Sequence, residues 1–178
     1  VCAVQGAGAA EAVADTLRVY LVGDSTCATK KLDKQNPERG WGHMFQPLFD
    51  EAVVVENHAT NGRSTKSFRA EGRWARVCDR LRPGDYVFIQ FGHNDQKIND
   101  STRYSTPAQY AENLRRYVHE ARAKGATPVL LTPIVRRHFV DGVLTDTHTD
   151  YPDAMRRVAA EEGVVLIDME PATREWVA

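Results

Sequence analysis

Three short polar segments hold the residue types needed to cleave an ester: Gly23-Asp24-Ser25-Thr26, Asn61-Gly62-Arg63-Ser64 and Gly92-His93-Asn94-Asp95. A serine at a tight strand-to-helix turn exposes its hydroxyl for attack on a carbonyl carbon, and the helix N-terminus adds backbone N–H groups. A glycine N–H and an asparagine amide also donate to the oxyanion that this attack creates. One hypothesis is therefore that Ser25 is a nucleophile and that Ser25, Gly62 and Asn94 form an oxyanion hole.

Each segment taken alone also has a simpler explanation. Asp, Ser and Thr after a strand most often cap a following helix. Asn-Gly is a common turn pair, and an asparagine such as Asn94 is common in loops. The hypothesis of an ester-cleaving site depends on the three segments following successive strands, because parallel strands end at the same edge of a sheet.

Five short runs rich in β-branched and aromatic residues predict the strands that position these segments. Each run ends at polar residues or glycine, as a buried strand does at a turn. The predicted strands are 17–22, 53–55, 86–91, 128–132 and 164–167. The three polar segments follow the first three of them.

Two amphipathic segments predict helices between the later strands. Residues 107–124 have apolar residues at helical spacing and begin at Thr106-Pro107. Residues 151–162 repeat this pattern and end at Gly163. The alternation of buried strands with amphipathic helices predicts an α/β fold, a three-layer α/β/α sandwich around a central, parallel, five-stranded sheet.

The composition of the chain narrows its class. Its 178 residues fit one domain, and its hydrophobic (42%) and charged (26%) fractions are typical of globular proteins. The net charge of -1 gives no field that would attract nucleic acid, and no apolar run approaches the roughly 20 residues that cross a membrane. We therefore expect neither nucleic acid nor membrane as a partner. Cys2, Cys27 and Cys78 lack the C-x-x-C spacing of a zinc site and do not indicate a disulfide framework.

The first fourteen residues differ in composition from the rest of the chain. Residues 1–14 are rich in small residues and end at Ala12-Val13-Ala14, which resembles the cleavage end of a secretory signal. A frayed, alanine-rich terminus explains the same composition. We predict a signal remnant over 1–14 and the domain over 15–178, with a secreted or periplasmic location expected and a cytoplasmic one as the alternative.

Five further stretches carry a family resemblance: GWG at 40–42, GRSTKSF at 62–68, EGRW at 71–74, FGHND at 91–95 and TPI at 132–134. Together with Gly-Asp-Ser at 23–25, they resemble the rhamnogalacturonan acetylesterase-like group of the SGNH, or GDSL-type, hydrolases. The ordered blocks of that superfamily contain a Ser, a Gly, an Asn and a His. Ser25, Gly62 and Asn94 match the first three blocks.

The resemblance implies a serine esterase with a flavodoxin-like fold that removes acetyl groups from a plant cell-wall polysaccharide such as rhamnogalacturonan. Ser25 would be the nucleophile, and no cofactor or metal is implied. Asp24, His93 and Arg136 are predicted to contact the acetylated polysaccharide or oligosaccharide, since an arginine can bind the carboxylates of an acidic backbone. The alternatives are a hydrogen bond at the strand end for His93 and a solvated loop for Arg136.

The fourth block of the family is an Asp and a His three residues apart that activate the serine. It is expected after the last predicted strand and is not found there. The nearest similar pattern has Thr145 three residues before His148 and precedes that strand, so His148 and Asp150 are predicted to start the next helix. We expect a domain truncated at its C-terminus and nearly inactive by itself. The alternative function is a non-catalytic carbohydrate-binding domain that lacks the Asp-x-x-His pair.

Overall fold

The computed structural model of the protein describes residues 16–178. The predicted signal remnant at 1–14 and Cys2 therefore lie outside the described residues. The rest of the chain forms a sheet with helices packed against it.

The described residues contain seven strands: β1 (Leu17–Gly23), β2 (Val53–Asn57), β3 (Tyr86–Gln90), β4 (Thr127–Leu131), β5 (Phe139–Val140), β6 (Val143–Leu144) and β7 (Val165–Ile167). Five of them form one sheet in the order β2-β1-β3-β4-β7, and all neighbours in it are parallel. The five predicted strands agree with these to within two residues at each end. The predicted parallel, five-stranded sheet is therefore confirmed.

A small hairpin of β5 and β6 was not predicted from the sequence. It turns at Asp141 and Gly142, whose φ angles of 48° and 76° are both positive. Asp-Gly suits this turn because both central residues must adopt a left-handed conformation. The pair was a usable signal, but each strand has only two residues, so no alternating pattern flanks the turn.

Five α-helices are present in residues 16–178: α1 (Thr65–Ala70), α2 (Arg73–Cys78), α3 (Pro107–Ala123), α4 (Tyr151–Glu162) and α5 (Met169–Val177). Helices α3 and α4 confirm the two predicted helices. A capping box between Thr106 and Gln109 begins α3, and Gly163 ends α4 with a φ of 58°. None of the helices in this part of the chain is long and apolar enough to span a membrane.

Apolar residues pack on both faces of the sheet. On one face, strand residues pack against α1 to α4 in a cluster that includes Tyr20, Phe68, Ile89, Tyr117 and Met155. On the opposite face, Leu21 and Val19 of β1 pack against Trp41 and Phe45, which belong to a segment of short 3₁₀ turns. The predicted layered α/β fold is confirmed, and 3₁₀ turns form part of the second outer layer.

Candidate active site

The carboxyl edge of the sheet gathers the three predicted segments. In the strand register, Gly23 lies opposite Gln90, and Leu21 lies opposite Asn57. The chain therefore leaves β1, β2 and β3 at the same edge, since all three strands run in the same direction. This arrangement follows from parallel pairing alone and agrees with the expectation from the sequence.

Two hydrogen bonds join these segments to one another. The Thr60 N–H donates to the carbonyl of Gly23 at 2.9 Å, which links the loop after β2 to the end of β1. Asn94 Nδ2 donates to the carbonyl of Arg63, also at 2.9 Å, which links the loop after β3 to the same segment. The residues around Gly62 are therefore held between the other two segments.

Ser25 lies in a turn directly after β1, and its side chain is half-buried. The N–H groups of Cys27 and Ala28 donate to the carbonyl of Asp24, at 3.3 and 3.0 Å, and close this turn. No helix begins at Ser25, and the next helical turn starts at Asp33. The expected helix N-terminus behind the nucleophile is wrong, so backbone donors to an oxyanion must come from turns.

Two such donors are available near Ser25. In the part of the chain that the structure describes, neither the Ser25 N–H nor the Gly62 N–H has a hydrogen-bond acceptor. Gly62 has a φ of 76°, a conformation that glycine adopts without strain and that L side chains rarely adopt. A free N–H group aimed by such a turn is a suitable donor to an oxyanion.

Asn94 provides a side-chain donor at the same edge. Its side chain is almost fully buried, at 3% exposure, and one Nδ2 hydrogen is used for the bond to Arg63. An amide nitrogen carries two hydrogens, so one remains for a ligand. The bond to the backbone also fixes the direction in which the amide points.

Asp24 is completely buried, which corrects the prediction that it contacts substrate directly. Its Oδ1 accepts hydrogen bonds from the Thr26 N–H and hydroxyl, both at 2.9 Å. Burial raises the pKa of Asp24, and the bonds from Thr26 oppose that rise. Through these hydrogen bonds, Asp24 stabilises the turn that contains Ser25.

His93 lies between Asp24 and His148. Its Nδ1 is 3.6 Å from Asp24 Oδ2, and its ring meets that of His148 edge-on with the centroids 4.5 Å apart. Burial lowers the pKa of His93 to about 3 and that of His148 to about 4, so both rings are neutral near pH 7. With its side chain only 12% exposed, His93 chiefly packs at the strand end, and its contact with substrate stays a prediction.

The Arg136 guanidinium is bonded to backbone carbonyls of the protein, and its contact with an acidic substrate stays a prediction. It donates to the carbonyl of His93 at 2.9 Å and to the carbonyl of Thr147 at 3.2 Å. His148 is also buried, with Nε2 2.8 Å from the Ile134 carbonyl. Of the two residues predicted to start α4, Asp150 is its N-cap and His148 lies two residues earlier. Arg136 and His148 both connect the loop after β4 to the segment of His93.

Asp95 and Gln90 are site-forming residues that were not predicted from the sequence. Asp95 is completely buried, and its Oδ1 accepts from the Thr65 N–H at 3.0 Å and the Thr65 hydroxyl at 2.5 Å. Gln90 Oε1 accepts from the Thr26 hydroxyl at 2.9 Å and from the Trp41 indole at 2.7 Å. The usable signal for Gln90 was a polar residue inside the apolar run of β3.

Each of the six histidines has a ring nitrogen near a group other than Ser25. The contacts are His43 with the Lys30 N–H, His58 with Glu56, His93 with Asp24, His119 with Glu162, His138 with Thr145, and His148 with Ile134 and Gln96. The general base is thus not identified among these histidines. Near-inactivity of these residues by themselves stays a prediction.

The candidate site offers no cluster of metal ligands. Among residues 16–178, no three His, Cys, Asp or Glu side chains are grouped closely enough to hold a metal ion. Cys27 and Cys78 are both free thiols, and burial raises the pKa of each. A thiol with a raised pKa is a poor nucleophile, so Ser25 is the better candidate for that role.

Comparison with known proteins places the chain in a family. The sequence profile of the GDSL-like Lipase/Acylhydrolase family matches residues 21–177. Two proteins of Bacillus subtilis (strain 168) are each 43% identical to the chain: a probable rhamnogalacturonan acetylesterase over 152 residues and a rhamnogalacturonan acetylesterase over 159 residues. The alignments cover 85% and 89% of this chain, and 69% and 67% of those proteins.

Solved structures share the fold. The Bacillus subtilis protein YxiM superposes with a TM-score of 0.80 at 26% identity, covering 91% of this chain and 46% of that chain. Axe2, an acetylxylan esterase from Geobacillus stearothermophilus, superposes with a TM-score of 0.71 at 19% identity, covering 93% of this chain and 81% of that one. The chain thus spans less than half of the YxiM chain. From the profile match and the two curated relatives, the chain belongs to the GDSL-like lipase/acylhydrolase family.

Proposed function

We propose that the protein is a serine esterase that removes acetyl groups from a plant cell-wall polysaccharide such as rhamnogalacturonan. The observation that carries this proposal is the joining of the Ser25, Gly62 and Asn94 segments at one edge of the sheet. Two relatives named as rhamnogalacturonan acetylesterases support an acetylated sugar as substrate. A secreted or periplasmic location belongs to the same proposal, because such polymers lie outside cells.

The proposed reaction uses Ser25 as the attacking group. Its hydroxyl oxygen bonds to the acetyl carbonyl carbon, while a general base takes the hydroxyl proton. The Ser25 and Gly62 N–H groups and the free hydrogen of the Asn94 amide hold the resulting oxyanion. Collapse of this intermediate breaks the bond to the sugar oxygen, which leaves with a proton. Water then attacks the acetylated serine and releases acetate.

The test is acetate release from acetylated rhamnogalacturonan. Ser25→Ala is expected to release no acetate above the background without protein, because no other group replaces the nucleophile. Ser101→Ala is the matched control, since Ser101 is exposed and lies outside the site. Undiminished release by Ser25→Ala would exclude Ser25 as the nucleophile. Faster release from acetylated xylan than from rhamnogalacturonan would replace the proposed substrate and keep the reaction.

A non-catalytic carbohydrate-binding function is the second candidate. The contacts of the six histidines favour it, since none of them places a base on Ser25. It predicts that the protein binds the polysaccharide but releases no acetate that depends on Ser25. Measurement of binding and release on the same preparation separates the two candidates.

A further inference from the structure

Two buried polar atoms without partners face each other beside the Ser25 turn. Asp24 Oδ2 and His93 Nδ1 lie 3.6 Å apart, and neither has a hydrogen-bond partner among residues 16–178. This distance is about 0.4 Å longer than the usual range and is too short for a water molecule to lie between the two atoms. Because unpaired buried polar atoms are costly, a small movement that joins them is favoured. Each atom is therefore the natural partner of the other.

The carboxyl group of Asp24 is the acceptor in this pair. Its Oδ1 accepts from the Thr26 N–H and hydroxyl, and these bonds favour the ionised carboxylate. The charge of Arg136 also favours it, so both effects oppose the burial that raises the pKa of Asp24. An ionised carboxylate has no hydrogen to donate. The hydrogen between the two groups therefore belongs to His93 Nδ1.

The ring of His93 carries one hydrogen near pH 7. Burial, together with the charges of Arg136 and Lys97, lowers the pKa of His93 to about 3, and the ring that meets it edge-on is the neutral His148. A neutral imidazole has a hydrogen on one nitrogen and a lone pair on the other. With the hydrogen on Nδ1, the nitrogen Nε2 is a hydrogen-bond acceptor.

The Nε2 atom of His93 is open to a ligand. Within the part of the chain that the structure describes, it has no hydrogen-bond partner, and unlike Nδ1 it is not a fully buried atom. The Arg136 guanidinium donates to the backbone carbonyl of His93 and leaves the ring nitrogens free. Since Nδ1 faces the buried Asp24, Nε2 is on the more exposed side of the ring. It is therefore a free acceptor at the edge of the site.

We propose that Asp24 fixes the tautomer of His93 so that Nε2 accepts a hydrogen bond from a hydroxyl group of the substrate. The inference rests on the proposed function, because it assumes an acetylated sugar held at Ser25. His93 directly precedes Asn94, so this hydroxyl would lie next to the acetyl group. Asp24 is then a positioning residue, and His93 favours a sugar with a free hydroxyl beside the ester over one in which that hydroxyl is also substituted.

The first test is the position of the ring hydrogen, measured at pH 7 by heteronuclear NMR on protein with isotope-labelled histidines. The signals of His93 are identified by their loss in His93→Phe. We expect the unmodified protein to carry hydrogen on Nδ1 alone. In Asp24→Asn, the carbonyl oxygen keeps the bonds from Thr26, and the amide nitrogen takes the place of Oδ2. That nitrogen donates to Nδ1, so the ring hydrogen should move to Nε2.

Asp95→Asn is the matched control for this substitution. Oδ1 of Asp95 accepts from the N–H and hydroxyl of Thr65, as Oδ1 of Asp24 does from Thr26, and its Oδ2 is also unpaired. The carboxylate that faces His93 Nδ1 is that of Asp24. The ring hydrogen should therefore stay on Nδ1 in Asp95→Asn. A merely structural role of Asp24 would not move the hydrogen from one nitrogen to the other.

The second test measures the affinity of the Ser25→Ala protein, which lacks the nucleophile, for two acetylated methyl galactosides. They differ only at the hydroxyl beside the ester, which is free in one and methylated in the other. A methoxy oxygen cannot donate, so the free hydroxyl should bind about two- to tenfold more tightly. Adding His93→Phe should lower this preference. Adding Asp24→Asn should also lower it, because an Nε2–H can donate to the methoxy oxygen.

Hydrogen on Nε2, or on both nitrogens, in the unmodified protein would overturn the inference. Equal affinity for the two ligands, or a preference that His93→Phe leaves unchanged, would overturn it as well. Both measurements proceed without turnover, and where Asp24→Asn does not fold, the unmodified protein and His93→Phe decide the outcome. Acetate release that depends on Ser25, combined with any of these results, would retain the proposed function and reject the role of His93.

Discussion

The buried carboxyl group of Asp95 makes stability depend on pH, and Asp95→Asn should remove part of that dependence. Burial raises the pKa of Asp95 from 3.8 to about 7, against the lowering effect of the two bonds from Thr65. In the unfolded chain, the group ionises near pH 4. The folded state therefore holds a proton that the unfolded state has already lost between about pH 4 and 7.

The sign and size of the effect follow from this difference. The pKa of Asp95 is higher in the folded state than in the unfolded state, so the free energy of unfolding is highest below about pH 4. It falls as the pH rises from about 4 to about 7 and does not change further above pH 7 through this group. A shift of roughly three units corresponds to about 4 kcal/mol. The amide that Asp95→Asn introduces could accept both bonds from Thr65 through its carbonyl oxygen and cannot ionise. Its Nδ2 takes the position of Oδ2, which has no hydrogen-bond partner among the described residues, and this costs about 1–3 kcal/mol at every pH. The stability of Asp95→Asn relative to the unmodified protein should therefore rise from pH 4 to pH 8, by up to about 4 kcal/mol.

Urea unfolding at pH 4, 6 and 8 provides the measurement. The loss of unfolding free energy from pH 4 to 8 should be smaller in Asp95→Asn by up to about 4 kcal/mol. Some pH dependence should remain, because burial also raises the pKa of Asp24. Asp141→Asn is the control, since Asp141 is exposed in the β5–β6 turn and asparagine also tolerates its positive φ. If the free energy of unfolding changed equally with pH in the unmodified protein and in Asp95→Asn, the reasoning would be refuted.

Three further predictions concern single contacts. Asn94→Ala should lower Ser25-dependent acetate release about a hundred- to a thousandfold, and an unchanged rate in folded protein would remove Asn94 from the oxyanion hole. Gly62→Ala should cost about 1–2 kcal/mol in urea unfolding, since its φ is 76°, and an unchanged midpoint would show that the loop relaxes. Met155→Ala should cost about 2–5 kcal/mol in thermal unfolding, because Met155 is completely buried. A loss below about 1 kcal/mol would indicate that the core collapses around the gap.

The sequence was sufficient for the long, periodic elements of the fold. The strand 86–91 and the helix 107–124 agree with β3 and α3 to within one residue, because apolar periodicity and end signals both mark them. Helices α1 and α2 have six residues each, too few for a periodic pattern to form. Short helices of this kind are stabilised by tertiary packing, here through the buried Phe68 and Trp74.

The sequence also placed the three candidate residues at one edge of the sheet, because parallel strands end together. It did not give the direction of side chains in the loops that follow. Asp24 and Ser25 are adjacent, yet one is completely buried and the other half-buried. Arg136 looked like a free cation, but the path of its loop brings carbonyl acceptors to its guanidinium. Loop paths depend on the whole fold and are not encoded in local spacing.

Asp24 and Asp95 are the two completely buried carboxyl groups among the described residues, and they are arranged in the same way. In each, Oδ1 accepts from the backbone N–H and hydroxyl of one threonine, Thr26 or Thr65, while Oδ2 has no hydrogen-bond partner among the described residues. An unpaired buried polar atom costs about 1–3 kcal/mol, so packing alone would not favour either group. Each carboxyl group lies next to a candidate catalytic residue, Ser25 or Asn94. The hydrogen bonds of each carboxyl group fix a loop that must present a side chain or N–H group to substrate. We therefore infer that these buried carboxyl groups serve the geometry of the site at the expense of folding stability.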